Sequence, residues 1–396
     1  MFRLGLLEVL LVLPVLARAQ FTYSTNADNT LTITGYTGSD GEVDVPASIS
    51  GLTVTGIGFG AFESLSVTNV VLPSTVASIG DYAFYSCLNL TNVSVPDGVT
   101  NIGIDVFWNC TSLASMTIPA NLNSIGADDF THCTSLTQMT IPYGVQSIGD
   151  SAFANCYGLA NISMAGSVTN VGPDAFYGCT SLTNVVLPAS VACIGTAAFY
   201  GCTGLICVSL PPNLTSIPDG LFQLCQKLTG VLMPGNVANI GNYAFYSCSS
   251  LTNLTIPASV TNIGNESFGA CYNLAALYFC GNAPALGDGY NFDGDTNLTI
   301  YCLPGTTGWG ASFPWPNVPW LPQAQPAAGG FGGAMNSFGF NINWASGQTV
   351  AVDVCTNLLG AVWQPLQTNV LSTGSAYFND PQWTNYPIRF YRLRSL

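Results

Sequence analysis

One aromatic residue held in register constrains this chain more than any other feature. Phe recurs at Phe62, Phe84, Phe107, Phe130, Phe153, Phe176, Phe199, Phe222, Phe245 and Phe268, at intervals of 23 residues after a first of 22. From Phe84 onward a cysteine follows three residues later, Cys87 through Cys271, and three further on a leucine, Leu90 through Leu274. The unit reads I-G-x-x-A-F-x-x-C-x-x-L-x-x-V-x-L-P. A period this short implies a stack of small coils, because no single unit can bury its own apolar face. The Phe, Cys, Leu and Ile positions are then expected to form continuous apolar columns.

Within a unit, Asn184, Val185, Val186 and Leu187 suit a short strand, with Val185 and Leu187 inward by the period-two rule, and Pro188 stops it. The stretch from Ile194 to Phe199 reads as a turn opening into one helical turn. Asp81, Asp150, Asp174 and Asp219 stand just before the Phe, where a helix N-terminus would favour negative charge. Two units depart from the pattern, with Pro218 in place of Gly and Ala165 in place of the strand-ending Pro. Both are expected to disturb local turns only. The predicted fold class is an α/β repeat solenoid, parallel strands plus short helical turns, followed by a small all-β C-terminal module.

This motif resembles the BspA-like leucine-rich repeats, a 23-residue class of secreted and surface proteins. The resemblance covers about residues 30–310. The opening Leu31 to Gly38 and the closing Tyr301 to Gly310 are similar to that family's terminal caps. The resemblance implies ligand or host-surface binding, adhesion and cell-surface display, and brings no catalytic residues with it.

Four segments follow from composition. Residues 1–19 read as a signal peptide, with Arg3 ahead of an apolar run and Ala17-Arg18-Ala19 as the cleavage site. Residues 20–320 hold the capped solenoid, 321–334 a small-residue linker, and 335–396 a β module. Strand-like runs in that module fall at 338–344, 349–354, 363–366, 376–378 and 388–393. Its Phe390-Tyr391-Arg392-Leu393 ending resembles terminal modules of exported bacterial proteins, which suggests attachment or sorting, with a small stabilising β domain as the equal alternative. The apolar run of the leader is short of the ~20 residues that span a bilayer, so no transmembrane segment is expected. Export and a secreted or cell-surface location are.

Only 7% of residues are charged, against roughly 25% in an average domain. Without the leader, four basic and nineteen acidic side chains remain, a net charge of −15. Residues 20–320 carry a single cation, Lys227. Nucleic acid and anionic lipid, which need clustered Lys and Arg, are excluded as partners.

The nine register cysteines point one way on successive coils and read as small buried hydrophobes. Cys193–Cys207 and Cys280–Cys302, off register, are candidate disulfides. No zinc spacing exists, and neither metal nor cofactor is expected. His132 is the only histidine and occupies a freely varied slot two residues after Phe, which reads as exposed surface. Asp105, Asp128, Asp129 and Asp150 on adjacent coils are the one carboxylate constellation suited to glycan hydrolysis, with capping and solubility as their simpler role. A loop with Asp288, Asp293, Asp295 and Asn297 has some calcium-ligand character but lacks the EF-hand glycine and glutamate.

Two surfaces remain for binding. Outward strand positions carry hydroxyls, Thr117 and Thr140 among them, and the residue after Phe is often aromatic: Tyr85, Trp108, Tyr177, Tyr200 and Tyr246. These seven are the candidate contacts for a protein or carbohydrate ligand. The expected function is a non-enzymatic binding or adhesion protein, with a structural spacer or surface-layer element as the alternative and a carboxylate glycan hydrolase behind both.

Overall fold

The computed structural model describes residues 20–287, 290–310, 317–325, 338–356, 362–386 and 389–396. Residues 1–19, read from the sequence as a signal peptide, lie outside these residues. The chain divides into two compact units.

The first unit comprises residues up to 252 together with 262–274 and 285–297. Its core is the file of rings read from the sequence. Phe62 through Phe268, and then Phe292, are all buried. Neighbouring rings from Phe62 to Phe292 stack at centroid distances between 5.0 and 6.0 Å. That separation follows from strand spacing, since coils hydrogen-bonded edge to edge repeat at ~4.8 Å. Parallel stacking at this distance is favourable for aromatic pairs, and each ring removes a large apolar area from water.

Two faces of most coils are strands. On the first face, Gln138–Ile141, Asn161–Met164, Asn184–Val186, Cys207–Ser209 and Gly230–Leu232 form one parallel sheet. Equivalent residues pair, as in Val185 with Val208. Their burial alternates, Val185 inward and Val186 outward, as the period-two reading requires. On the second face, two-residue strands such as Ser147–Ile148 and Asn170–Val171 ladder in the same sense. At the N-terminal end Phe21–Thr25 pairs antiparallel with Leu31–Tyr36 and covers the first coil.

The third face corrects the sequence reading: it holds no helical turn. Among the described residues the only helical element is a 3-10 turn at Trp383–Asn385. The reason lies in where the amides go. Tyr82, Phe84 and Ser86 donate to Ile104, Val106 and Trp108 of the next coil, at 3.0, 2.9 and 2.8 Å, while Tyr85 and Cys87 donate back to Tyr82 and Phe84. Alternate N–H groups thus leave the coil, and an α-helix cannot form when every second amide is bonded elsewhere. The geometry needs left-handed backbone on both sides of each Phe. The slot two before runs from Gly60 to Glu266 and the slot two after from Ser64 to Ala270, all with φ between 47° and 69°. Asp81 and Asp219 accordingly cap the neighbouring coil rather than a helix. Asp81 accepts from the Ile104 amide at 3.0 Å, and Asp219 from the Asn242 amide at 2.8 Å.

The cysteine column is buried as predicted, and it is also hydrogen-bonded. Each of the nine thiols, from Cys87 to Cys271, donates to the carbonyl of the Phe one coil back, at 2.9 to 3.2 Å. A thiol here fills a small apolar slot and occupies the second lone pair of a buried carbonyl.

The second unit comprises residues 253–261, 275–284 and 298–396. Asn253–Ile256, Ala276–Phe279, Thr299–Cys302 and Asn317–Pro319 form a parallel sheet. Two antiparallel three-stranded sheets follow, Gln323–Gln325 with Phe338–Asn343 and Ser375–Asp380, and Gln364–Val370 with Thr349–Cys355 and Phe390–Ser395. Phe340, Ile342, Trp344, Val350, Val352, Leu371 and Phe378 form one core with Leu303, against which Cys280 and Trp320 pack. The β module therefore begins before residue 335: Gln323–Gln325, expected in the linker, is already a paired strand, and residues 326–337 lie outside the described set. The C-terminal arginines serve this module internally. Arg389 pairs with buried Asp380 at 2.9 Å, and Arg392 and Arg394 share Asp353, whose carboxyl they hold below the usual carboxylate range.

Candidate functional site

The first-face sheet has one gap inside the first unit's early coils. Gly41–Asp44, Val67–Val71 and Asn92–Ser94 form a three-stranded piece, and the sheet resumes only at Gln138–Ile141. Residues 115–118 lie between them. Met116 and Ile118 still point inward and are buried, but residues 115–118 exchange no backbone hydrogen bond with either flanking strand. Met116 stands beside Met139 in a column otherwise filled by residues such as Val93, Ile162, Val185 and Val208.

The gap is a cleft of about 660 Å³. Asn92, Ser94, Ser115, Thr117, Gln138 and Thr140 line its outer part, with Val93, Val95, Met116, Ile118 and Pro142 beneath. No charged side chain contributes. Such a site offers hydroxyl and amide groups together with main-chain donors and acceptors that a regular sheet would consume. Thr117 and Thr140, singled out from the sequence, are brought together in it.

The aromatic candidates are placed elsewhere, mostly against each other. Tyr85 stacks on Trp108 at 4.6 Å and Tyr177 on Tyr200 at 4.7 Å, each pair within 7° of parallel. Tyr246 meets Tyr243 edge-on at 5.8 Å. Ring faces used this way shield the turns beneath them. His132 is half-buried rather than exposed: it occupies the left-handed slot with φ 63° and sets its ring edge-on to Trp108 at 5.6 Å.

Of the four carboxylates weighed for hydrolysis, Asp129 is the most deeply buried. Asp129 is 1% exposed and accepts from the Gly126 amide at 2.7 Å and the Val106 amide at 3.3 Å. Burial pushes its carboxyl up to about 8. Asp105 is raised by burial and then by the nearby Asp128 charge, while Asp128 accepts from the Thr131 hydroxyl at 3.1 Å. The most perturbed acid of this constellation is thus sealed from any polysaccharide.

Asp295 occupies the cysteine slot of the Phe292 coil, and burial pushes its carboxyl up to about 8. Asp293 is exposed, and Asp288 lies outside the described residues. No group of three metal-ligating side chains occurs among the described residues. The four cysteines expected to form disulfides are free thiols. Cys193 and Cys207 lie on different sheets, whereas Cys302 pairs in register with Phe279, the neighbour of Cys280.

Sequence reasoning missed the structural part that Asp129 plays. The slot before Phe holds Ala61, Ala83, Ala152, Ala175, Ala198 and Ala244 in other coils, so one aspartate there was the available signal.

These coils, with their Phe, Cys and Leu columns, define a leucine-rich-repeat solenoid. The BspA type leucine rich repeat region matches in 6 copies, over residues 55–183 and 169–299. The chain belongs to that family. Among solved structures it is similar to a leucine rich cell surface protein from Faecalibacterium prausnitzii, at 29% identity, 73% of this chain, 88% of the other and a TM-score of 0.52. A leucine-rich repeat protein from Bacteroides ovatus matches at 28% identity, over 71% and 93% of the two chains, with a TM-score of 0.39. No curated protein matches. Among the described residues, no helix is long and apolar enough to cross a membrane.

Proposed function

We propose that the chain is an exported surface protein that binds an uncharged segment of a protein or glycan in the cleft around Thr117 and Thr140. The observation that carries this reading is the interrupted sheet, which leaves main-chain polar groups unspent beside hydroxyl and amide side chains. The Faecalibacterium relative is named as a cell surface protein, which supports the location. The acidic solenoid repels anionic ligands, so an uncharged cleft in it selects for neutral ones.

The test is a glycan-array and surface-protein capture screen of residues 20–396 beside a Thr117→Arg/Thr140→Arg variant. Capture by the parent and loss in the variant, with circular dichroism unchanged, supports the reading. A parent that retains nothing makes the solenoid a spacer, and capture indifferent to the substitutions removes the cleft as the site.

A further inference from the structure

The last three cations of the chain stand together in the second unit. Residues 321–396 hold Arg389, Arg392 and Arg394 against two acids, Asp353 and Asp380, so this stretch departs from the acidity of the rest. Arg392 and Arg394 both pair with Asp353, at 2.9 and 3.1 Å. Arg389 does not spend all its donors. Its side chain is 8% exposed, and Nη1 lies 2.9 Å from Asp380 Oδ2. That oxygen also accepts from the Tyr391 hydroxyl at 2.8 Å, while Oδ1 accepts from the Gln382 amide at 2.9 Å. The Arg389 Nε–H is buried and finds no acceptor among the described residues, and a buried donor left unpaired is costly.

This side chain lines a groove of about 450 Å³. Pro322, Ala324, Phe338 and Phe340 line it from the side of one sheet, and Arg389 and Tyr391 from the side of the other. Phe338 stacks on Tyr391 at 4.8 Å, which gives the groove an aromatic lining. Both sides are also sheet edges. Gln323–Gln325 is the end strand of one three-stranded sheet, and Phe390–Ser395 is the end strand of the other. An open strand edge presents a row of main-chain donors and acceptors to an incoming segment.

We propose that this groove docks an extended, carboxylate-bearing peptide segment of another protein. The carboxylate accepts from Arg389 Nε, the main chain adds to the open edge of Phe390–Ser395, and an apolar side chain packs on Phe338. A carboxylate matches a guanidinium in charge and in fork geometry, and an extended backbone is the form that uses a strand edge. A small free anion would use Arg389 and leave the edges and rings idle. The site is separate from the cleft around Thr117 and Thr140, which lies in the first unit, and neither depends on the other.

The test pans residues 20–396 against phage-displayed random peptides and titrates the enriched ones by fluorescence anisotropy. Parent, Arg389→Gln and Ala324→Glu are compared. Ala324 is exposed, so Ala324→Glu keeps the fold and sets a competing carboxylate in the groove. It decides the matter if Arg389→Gln unfolds for want of a partner to Asp380. Enriched peptides are expected to carry Asp or Glu beside an apolar residue. Both variants should weaken their binding at least tenfold, as should Asn in place of the peptide's Asp. No retained peptide, retention without acidic enrichment, or a folded Ala324→Glu that binds like the parent overturns the proposal. A parent that sediments as a dimer, dissociated by Ala324→Glu, overturns it too, because a second copy then fills the groove.

Discussion

Raising the pH from 5 to 9 should weaken the coil stack, and Asp129 supplies the clearest part of that loss. Its carboxyl titrates near 8 when folded because burial opposes ionisation, and the charges of Asp105 and Asp128 push the same way. Unfolded, it titrates at about 3.9. Between those values the folded chain holds a proton that the unfolded chain has released, so stability falls as pH rises and levels off above 8. Roughly three pH units of that window lie above pH 5, and at about 1.4 kcal/mol each they amount to on the order of 4 kcal/mol, close to the whole stability of a small domain. Asp295, also at about 8 through burial, adds a slope of similar size. Urea unfolding at pH 5, 6, 7, 8 and 9 measures the total, and Asp129→Ala should remove about half of it. A parent whose stability is flat between pH 5 and 8, or a variant with the parent's slope, would refute the reasoning.

Native thiol labelling should be sharply divided. Cys193 and Cys207 are exposed and should react within minutes, while the nine column cysteines should label only in denaturant. Burial pushes their thiols far up, to about 12 at Cys87 and Cys179; mass spectrometry of partial digests reads the pattern, and fast labelling of Cys179 would contradict it. Ala197, held at φ 53°, should gain from glycine. Relief of ~1–2 kcal/mol of left-handed strain exceeds the ~0.5–1 kcal/mol entropy cost of Gly, so Ala197→Gly should raise the urea midpoint slightly. A lowered midpoint would show that the left-handed columns are not strained.

The columns were legible because each is a single residue type repeated at one spacing, and such a pattern has one packing solution. The third face was not legible. A segment like Asp81 to Cys87 has helix-compatible composition on its own, and only a neighbouring coil at hydrogen-bonding distance diverts its alternate amides. The varied slots did hold a clue, since Asp105, Asp128, Asn109, Asn155 and Gly178 are types that tolerate positive φ. Leu224, Tyr243 and Glu266 in the same slots obscured it, the ladder holding them there against their own preference. Of the candidate site, Thr117 and Thr140 were legible as outward strand positions. The cleft between them was not, because it depends on residues 115–118 leaving the ladder, which their alternating pattern does not announce.

The second strand face is continuous where the residue after its strand donates an amide to the coil before, as Gly195 and Gly241 do, and it stops at Pro218, which has no amide to give. Pro218→Gly tests this without touching the cleft. Site-resolved amide exchange should show the amide introduced at position 218 to be as slow as those of Gly195 and Gly241, with Cys193–Ile194 and Ser216–Ile217 joined in one ladder. An introduced amide that exchanges as fast as an open loop would contradict the account.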